Sequence, residues 1–386
     1  MNEWSIEQKL GETEPMRIGI DARLVYYSQA GITQYTLRLI QGLAEIDREN
    51  EFIILQSRKD KHTIVVDKPN FKRVSLWTPS HHRLEQYTLH LEISRLELDV
   101  LHSPDFIPPF HSNCKSIITI HDLAFLLYPH FLTRESARYY GQIDQAVKRA
   151  DHIIAVSEST KRDTTRLLGV PEHKITVIYE SANRIYHPVN DHEILERTKD
   201  KYRINGDFIL FVGTIEPRKN VPTLLRAYRQ LLDNYKADVK LVIVGRRGWL
   251  SDEVFTLVDQ LKLGNDVLFL GRVPSQDLLY LYNAAQLLVQ PSFYEGFGLP
   301  PLEAMACGTP AVVSNVSSLP EVVGDAGILV DPQEVSGLAV AIWRVLTDSA
   351  LRNDLIAKGL RRAKCFSWKK TALQTLELYQ RVGQSD

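Results

Sequence analysis

Short apolar runs alternate along the chain with longer stretches in which apolar residues recur every three or four positions, a pattern of parallel strands joined by helical crossovers. In the first half it predicts strands at Ile18 to Asp21, Phe52 to Gln56, Val100 to His102, Ile117 to Ile120, Ile153 to Val156 and Ile175 to Ile178. In the second half it predicts them at Phe208 to Val212, Leu241 to Val244, Val267 to Leu270, Leu287 to Gln290, Ala311 to Val313 and Ile328 to Val330. Two doubly wound α/β domains follow. Between Ser181 and Asn205 the alternation is interrupted by Pro188, Asn190 and a charged run, which puts the boundary there. The limits read as a loose leader over 1–15, domains over 16–190 and 191–366, and a terminal helix over 367–386 that would fit either domain. Three helical segments are expected within Val335 to Ala363 before it. Open α/β sheets bind ligands beyond the carboxyl ends of their strands, so two facing sheets place a cleft between them.

Composition narrows the classes. The 386 residues carry a formal charge of −1, which argues against a nucleic-acid binder working by bulk electrostatics. Cys114, Cys307 and Cys365 have no paired spacing, which fits a reducing cytoplasm and small buried side chains better than disulfides or a cysteine-built metal site. The first fifteen residues lack the apolar run of a signal peptide, and no stretch reaches the roughly 20 apolar residues that span a bilayer. A cytoplasmic protein is expected, with any membrane contact peripheral.

The densest chemistry lies after the Leu287 strand. There Glu295-Gly296-Phe297-Gly298-Leu299 forms a loop, and Pro300-Pro301 suits the first turn of the helix that carries Glu303. The two glycines allow close backbone approach, the helix start favours an anion, and carboxylates accept sugar hydroxyls. A ligand with both phosphate and sugar is implied. After the Phe208 strand, Gly213-Thr214-Ile215-Glu216-Pro217-Arg218-Lys219 brings two cations to a strand-to-helix turn, where they would neutralise a diphosphate or simply face solvent. Gly31 opens the first helix beyond Asp21-Ala22-Arg23, either as a phosphate-approach point or as an ordinary turn. His121 ends a strand and is as open to a structural as to a functional role. Gly245 and Val273 follow two further strands and would line a base pocket; Ser157 and Ser159 read as helix caps. No Asp-x-Asp triplet occurs, so no metal is expected on the diphosphate.

These motifs resemble retaining glycosyltransferases of family 4, mannosyltransferase-like, whose fold is GT-B: two Rossmann-like domains facing across a cleft. The likeness spans Arg17 to Val382, and its most specific element is two glutamates separated by seven residues, here Glu295 and Glu303. The resemblance implies that Glu303 binds ribose hydroxyls, Glu295 the transferred sugar, and the Phe297 to Leu299 amides the sugar and phosphate, with Gly296 and Gly298 shaping that loop. Arg218 and Lys219, with Gly213 and Thr214, would hold the diphosphate. Gly31 and His121 would complete the site from the first domain, His121 near the sugar's far hydroxyls, and the terminal helix would cross back to that domain. Two departures stand out: Ala30-Gly31 replaces paired glycines, and Tyr179-Glu180-Ser181 replaces Asn-Gly after the sixth strand.

The resemblance further implies transfer of a hexose with retention to an acceptor hydroxyl of a glycan or glycolipid, from a nucleotide-diphosphate sugar serving as co-substrate, with no cofactor. Glu-Pro-Arg-Lys-Asn looks like polysaccharide mannosyltransferases, making GDP-mannose the first donor to consider. Rival readings are a nucleotide-sugar epimerase of this fold and a non-catalytic sugar-binding protein.

Overall fold

The computed structural model describes residues 14–385 apart from 28–30, 66, 83, 130–138 and 249–250. Residues 1–13 of the expected leader, and Gln29 and Ala30 beside Gly31, lie outside that set. The first sheet holds β1 (Arg17–Asp21), β2 (Glu51–Ser57), β3 (Phe71–Leu76), β4 (Val100–Ser103), β5 (Lys115–Ile120), β6 (His152–Ala155) and β7 (Ile175–Val177). Its order is β3-β2-β1-β4-β5-β6-β7, all parallel. The second holds β8 (Phe208–Val212), β9 (Lys240–Val244), β10 (Val267–Gly271), β11 (Leu287–Gln290), β12 (Ala311–Ser314) and β13 (Gly327–Val330), ordered β10-β9-β8-β11-β12-β13 and again parallel.

All twelve expected strands form; β3 is the addition. Its sequence Phe-Lys-Arg-Val-Ser-Leu has no apolar run because it is an edge strand, with Lys72 and Ser75 exposed and only Phe71 and Leu76 buried. A second correction concerns Val335 to Ala363, where two helices form rather than three. Val335–Thr347 is followed directly by Ser349–Ala363, because Asp348 caps the second helix by accepting the Leu351 amide at 2.9 Å. Of the cysteines only Cys307 is buried; Cys365 is exposed.

The terminal helix, Trp368–Gly383, packs on Gly31–Ile46 and not on the second sheet. Trp368, Ala372, Leu376 and Tyr379 join Ile18, Tyr35 and Leu39 in one core. Its Tyr379 hydroxyl reaches the buried His102 ring at 2.6 Å, and that ring's other nitrogen lies 2.8 Å from Thr119 Oγ1. The chain end thus closes the first domain's core.

Between the two sheets the strand ends meet. Ser157, which caps Glu158–Leu168 through the Thr160 amide, donates its hydroxyl to the Gly296 carbonyl at 2.6 Å. Glu321, from the second domain, accepts the Glu158 and Ser159 amides at 2.9 Å each, satisfying the free donors of that same helix start. The Tyr294 hydroxyl donates to Asp163 at 2.8 Å.

Candidate active site

The turn after β8 is a single 3₁₀ turn, Pro217–Lys219, ended by Asn220 in the left-handed region at φ 55°. Asn220 repays that conformation with two side-chain hydrogen bonds, to the Pro291 carbonyl at 2.9 Å and the Pro332 carbonyl at 2.7 Å. It ties this turn to the loop after β11. At its root Gly213 lies against Gly245, whose φ is 150°; a Cβ on Gly245 would stand 1.8 Å from the Gly213 carbonyl oxygen. Glycine is required there because two strand ends cross at backbone contact. Thr214 packs beside Gly248, and Val273 sits with Leu268 and Leu270 in the apolar cluster behind β9 and β10.

Arg218 and Lys219 converge on Glu295. Lys219 Nζ donates to both carboxylate oxygens, at 2.7 and 2.8 Å, and Arg218 Nη1 donates to Oε2 at 3.1 Å and to the Tyr294 carbonyl at 3.0 Å. Glu216 holds the other edge of the guanidinium at 2.8 Å. Gln290 and Ser292 add donors to Oε1 at 3.0 and 2.7 Å. Burial alone would raise the Glu295 pKa, but Lys219 and then Arg218 outweigh it and bring the group down to about 2. Glu295 is therefore a fixed anion, saturated by protein donors. It occupies the cations that sequence reasoning gave to a diphosphate, and it has no oxygen left over for a sugar in this arrangement.

Glu303 has the opposite environment. It stands on Leu299–Ala306, with one hydrogen bond, from the Tyr282 hydroxyl at 2.8 Å. Burial raises its pKa to about 7, and that single donor opposes the shift only in part. Adjacent glutamates of one motif thus differ in charge state near neutral pH.

The loop between them is held from several sides. Gly298 adopts φ 108°, and Ser318 Oγ lies 2.9 and 2.6 Å from the carbonyls of Glu295 and Phe297. Phe297 is buried against Tyr179 and Phe366, so its ring anchors the loop. Leu299 is half-buried at the helix start. Gly296 meets the first domain directly: a Cβ there would lie 1.8 Å from the His121 carbonyl oxygen. Gly296→Ala is accordingly expected to force the cleft open. Small-angle scattering should record a larger radius of gyration, and kcat should fall about 100-fold from misplacement of the reacting groups; unchanged values would contradict the contact.

His121 is held by the protein at both ring nitrogens. Its Nε2 donates to the Pro104 carbonyl at 2.9 Å and its Nδ1 to Glu180 at 2.9 Å, so no ring nitrogen is left for a sugar hydroxyl. Burial disfavours its charge, yet Glu180 outweighs burial and raises the pKa above the usual histidine value. The buried ring packs edge-on to Tyr35, and it fixes the strand end whose carbonyl touches Gly296. Gly31 opens its helix as expected, but a Cβ there would meet nothing within 4 Å, so no close approach within the protein demands glycine.

Sequence reading missed Gln290 and Ser292, which flank Glu295 in the very motif it selected, and Glu180, which appeared only as a departure from the family pattern. Tyr282 and Glu321 gave no sequence signal; each acts across the fold. Among the described residues no cluster of three or more His, Cys, Asp or Glu is arranged to hold a metal ion. No helix among them is long and apolar enough to cross a membrane.

Residues 30–183 match the model of Glycosyltransferase Family 4, and residues 195–362 that of Glycosyl transferases group 1. The chain is similar to O-antigen chain mannosyltransferase B of Escherichia coli, 34% identical over 387 residues covering 95% of this chain and 100% of that protein. Among solved structures it resembles sucrose-phosphate synthase from Thermosynechococcus elongatus, with TM-score 0.76, 23% identity and coverage of 95% and 98%. It also resembles Anabaena HepE in complex with UDP and glucose, with TM-score 0.73, 19% identity and coverage of 95% and 100%. Two parallel-sheet Rossmann-like domains around such a cleft are the GT-B fold. The chain belongs to glycosyltransferase family 4.

Proposed function

We propose that the chain transfers a hexose, with mannose from GDP-mannose the first case to test, onto an acceptor hydroxyl in polysaccharide or glycolipid assembly, with retention and without a metal. The observation that carries this reading is the Arg218–Lys219–Glu295 cluster: two cations, Lys219 buried and Arg218 half-buried, at the point where the strand ends of both domains meet. The mannosyltransferase relative supports the sugar, and its O-antigen role supports the acceptor class. The UDP complex of a fold neighbour supports a nucleoside-diphosphate donor.

On this reading an incoming diphosphate takes over Arg218 and Lys219 and releases Glu295 toward the hexose hydroxyls. The leaving diphosphate then gains charge against preorganised donors, which include the Phe297 to Leu299 amides. On this reading the acceptor attacks from the face that the diphosphate leaves, and the departing phosphate takes the acceptor proton. The first domain, 16–190, would receive the acceptor, and 191–366 the donor. Turnover of GDP-mannose, UDP-glucose and other nucleotide sugars, each with EDTA and a candidate acceptor, tests this. Nucleotide release coupled to glycoside formation supports transfer; donor isomerisation without an acceptor would replace it with the epimerase reading.

Glu303 adds a pH dependence. Its ionised form accepts ribose hydroxyls, and its carboxyl in the free enzyme titrates at about 7, so donor binding releases a proton below that pH. The donor KM should therefore rise as pH falls below about 7, approaching about tenfold per unit for one linked proton. Glu303→Gln should flatten that limb; a wild-type KM constant from pH 5.5 to 8 would exclude the role.

A further inference from the structure

Outside the cleft, the first domain carries side chains that a folded core should have covered. Trp77 is 69% exposed, Leu84 54%, Tyr87 74% and Leu91 67%. Leu84, Tyr87 and Leu91 project at helical spacing from Glu85–Ile93 and its preceding residue, while Leu89 and Ile93 face inward. Glu92 accepts the Trp77 and Thr78 amides at 2.7 and 2.9 Å, fastening the Trp77 turn to the same helix. One rigid element thus presents four large apolar groups to solvent, and an exposed group of this kind marks an interaction surface.

The charge around it selects the partner. Between Ser57 and Leu96 the sequence carries eight lysines and arginines against four aspartates and glutamates, in a chain whose formal charge is −1. One of the four acids, Glu85, is buried on Arg23, and another, Glu92, is spent on the two backbone amides. Arg58 lies over the Trp77 ring at 3.4 Å, so basic and aromatic groups share one face. Tryptophan, tyrosine and leucine beside a cationic surround is the composition that seats in the headgroup region of a bilayer, where rings and leucines enter the acyl boundary and cations meet acidic lipids.

We propose that the Trp77 turn and the helix Glu85–Ile93 form a docking surface for an anionic lipid bilayer. The segment belongs to the domain assigned to the acceptor, so docking would bring a lipid-linked sugar to the cleft; that last step rests on the transferase reading, whereas the docking surface does not.

The test is flotation of the full chain with vesicles of phosphatidylglycerol and phosphatidylcholine, compared with phosphatidylcholine alone. Wild type should float with the anionic vesicles and be released by high salt, and Tyr87→Ser/Leu91→Ser should lose about tenfold or more in apparent affinity. Donor turnover on a water-soluble acceptor should be unchanged in that variant, which shows it folded and tests the chemistry separately. Wild type failing to bind anionic vesicles, equal binding by the double variant, or a wild-type dimer that the variant dissociates with no vesicle binding would each overturn the proposal, the last by making the face a contact between copies.

Discussion

Arg218→Ala lowers kcat about 10²- to 10³-fold with a smaller change in donor KM, the effect expected when one preorganised donor to a developing anion is removed. The guanidinium is aimed by Glu216 at 2.8 Å and by the Tyr294 carbonyl at 3.0 Å, so it is in place before any ligand arrives. A group already oriented costs little reorganisation as charge builds on the leaving diphosphate, and its contribution is concentrated in the transition state. Arg218→Lys keeps the charge but loses the fork, and should recover only part of the rate. Steady-state kinetics at saturating donor decide the matter: unchanged kcat would show that Arg218 serves donor binding alone.

Glu295→Ala has two consequences, and the structure makes the first the larger. Lys219 is buried, and its ammonium spends both its short contacts on Glu295, so truncation leaves an uncompensated cation and costs about 3–5 kcal/mol of stability. The second is slower transfer, because the hexose loses its carboxylate. A nucleoside diphosphate would replace the lost anion, so GDP should raise the melting temperature of Glu295→Ala more than that of the wild type. Thermal shift with and without GDP checks this directly. A variant as stable as wild type, or one that GDP stabilises no further, would refute the idea that Glu295 holds the place of the ligand's charge.

Most of the parallel strands were legible because they are enclosed on both faces, so their sequences are short runs of Ile, Leu and Val bounded by breakers. β3 was not, since at the edge Lys72 and Ser75 face solvent and the buried positions shrink to two. In the site, the motif reading placed Glu295 on a loop and Glu303 on a helix, which is where they lie. What it did not foresee is that Glu295 would be answered by cations 76 and 77 positions earlier, while Glu303 would be left with a single hydroxyl donor. The same holds for His121, whose partner Glu180 is 59 positions away at the end of another strand. Side-chain periodicity reports which face is buried, but it carries no record of which strand ends become neighbours. For that reason His121 read as an open question, and its ring is found held between Glu180 and the Pro104 carbonyl.

The most direct test follows the reaction of GDP-mannose with a candidate acceptor in EDTA by proton NMR. The account predicts GDP release together with a new α-mannosidic anomeric signal, appearing at the same rate with and without the chelator. A β-linked product, or turnover that EDTA abolishes and added divalent metal restores, would contradict it.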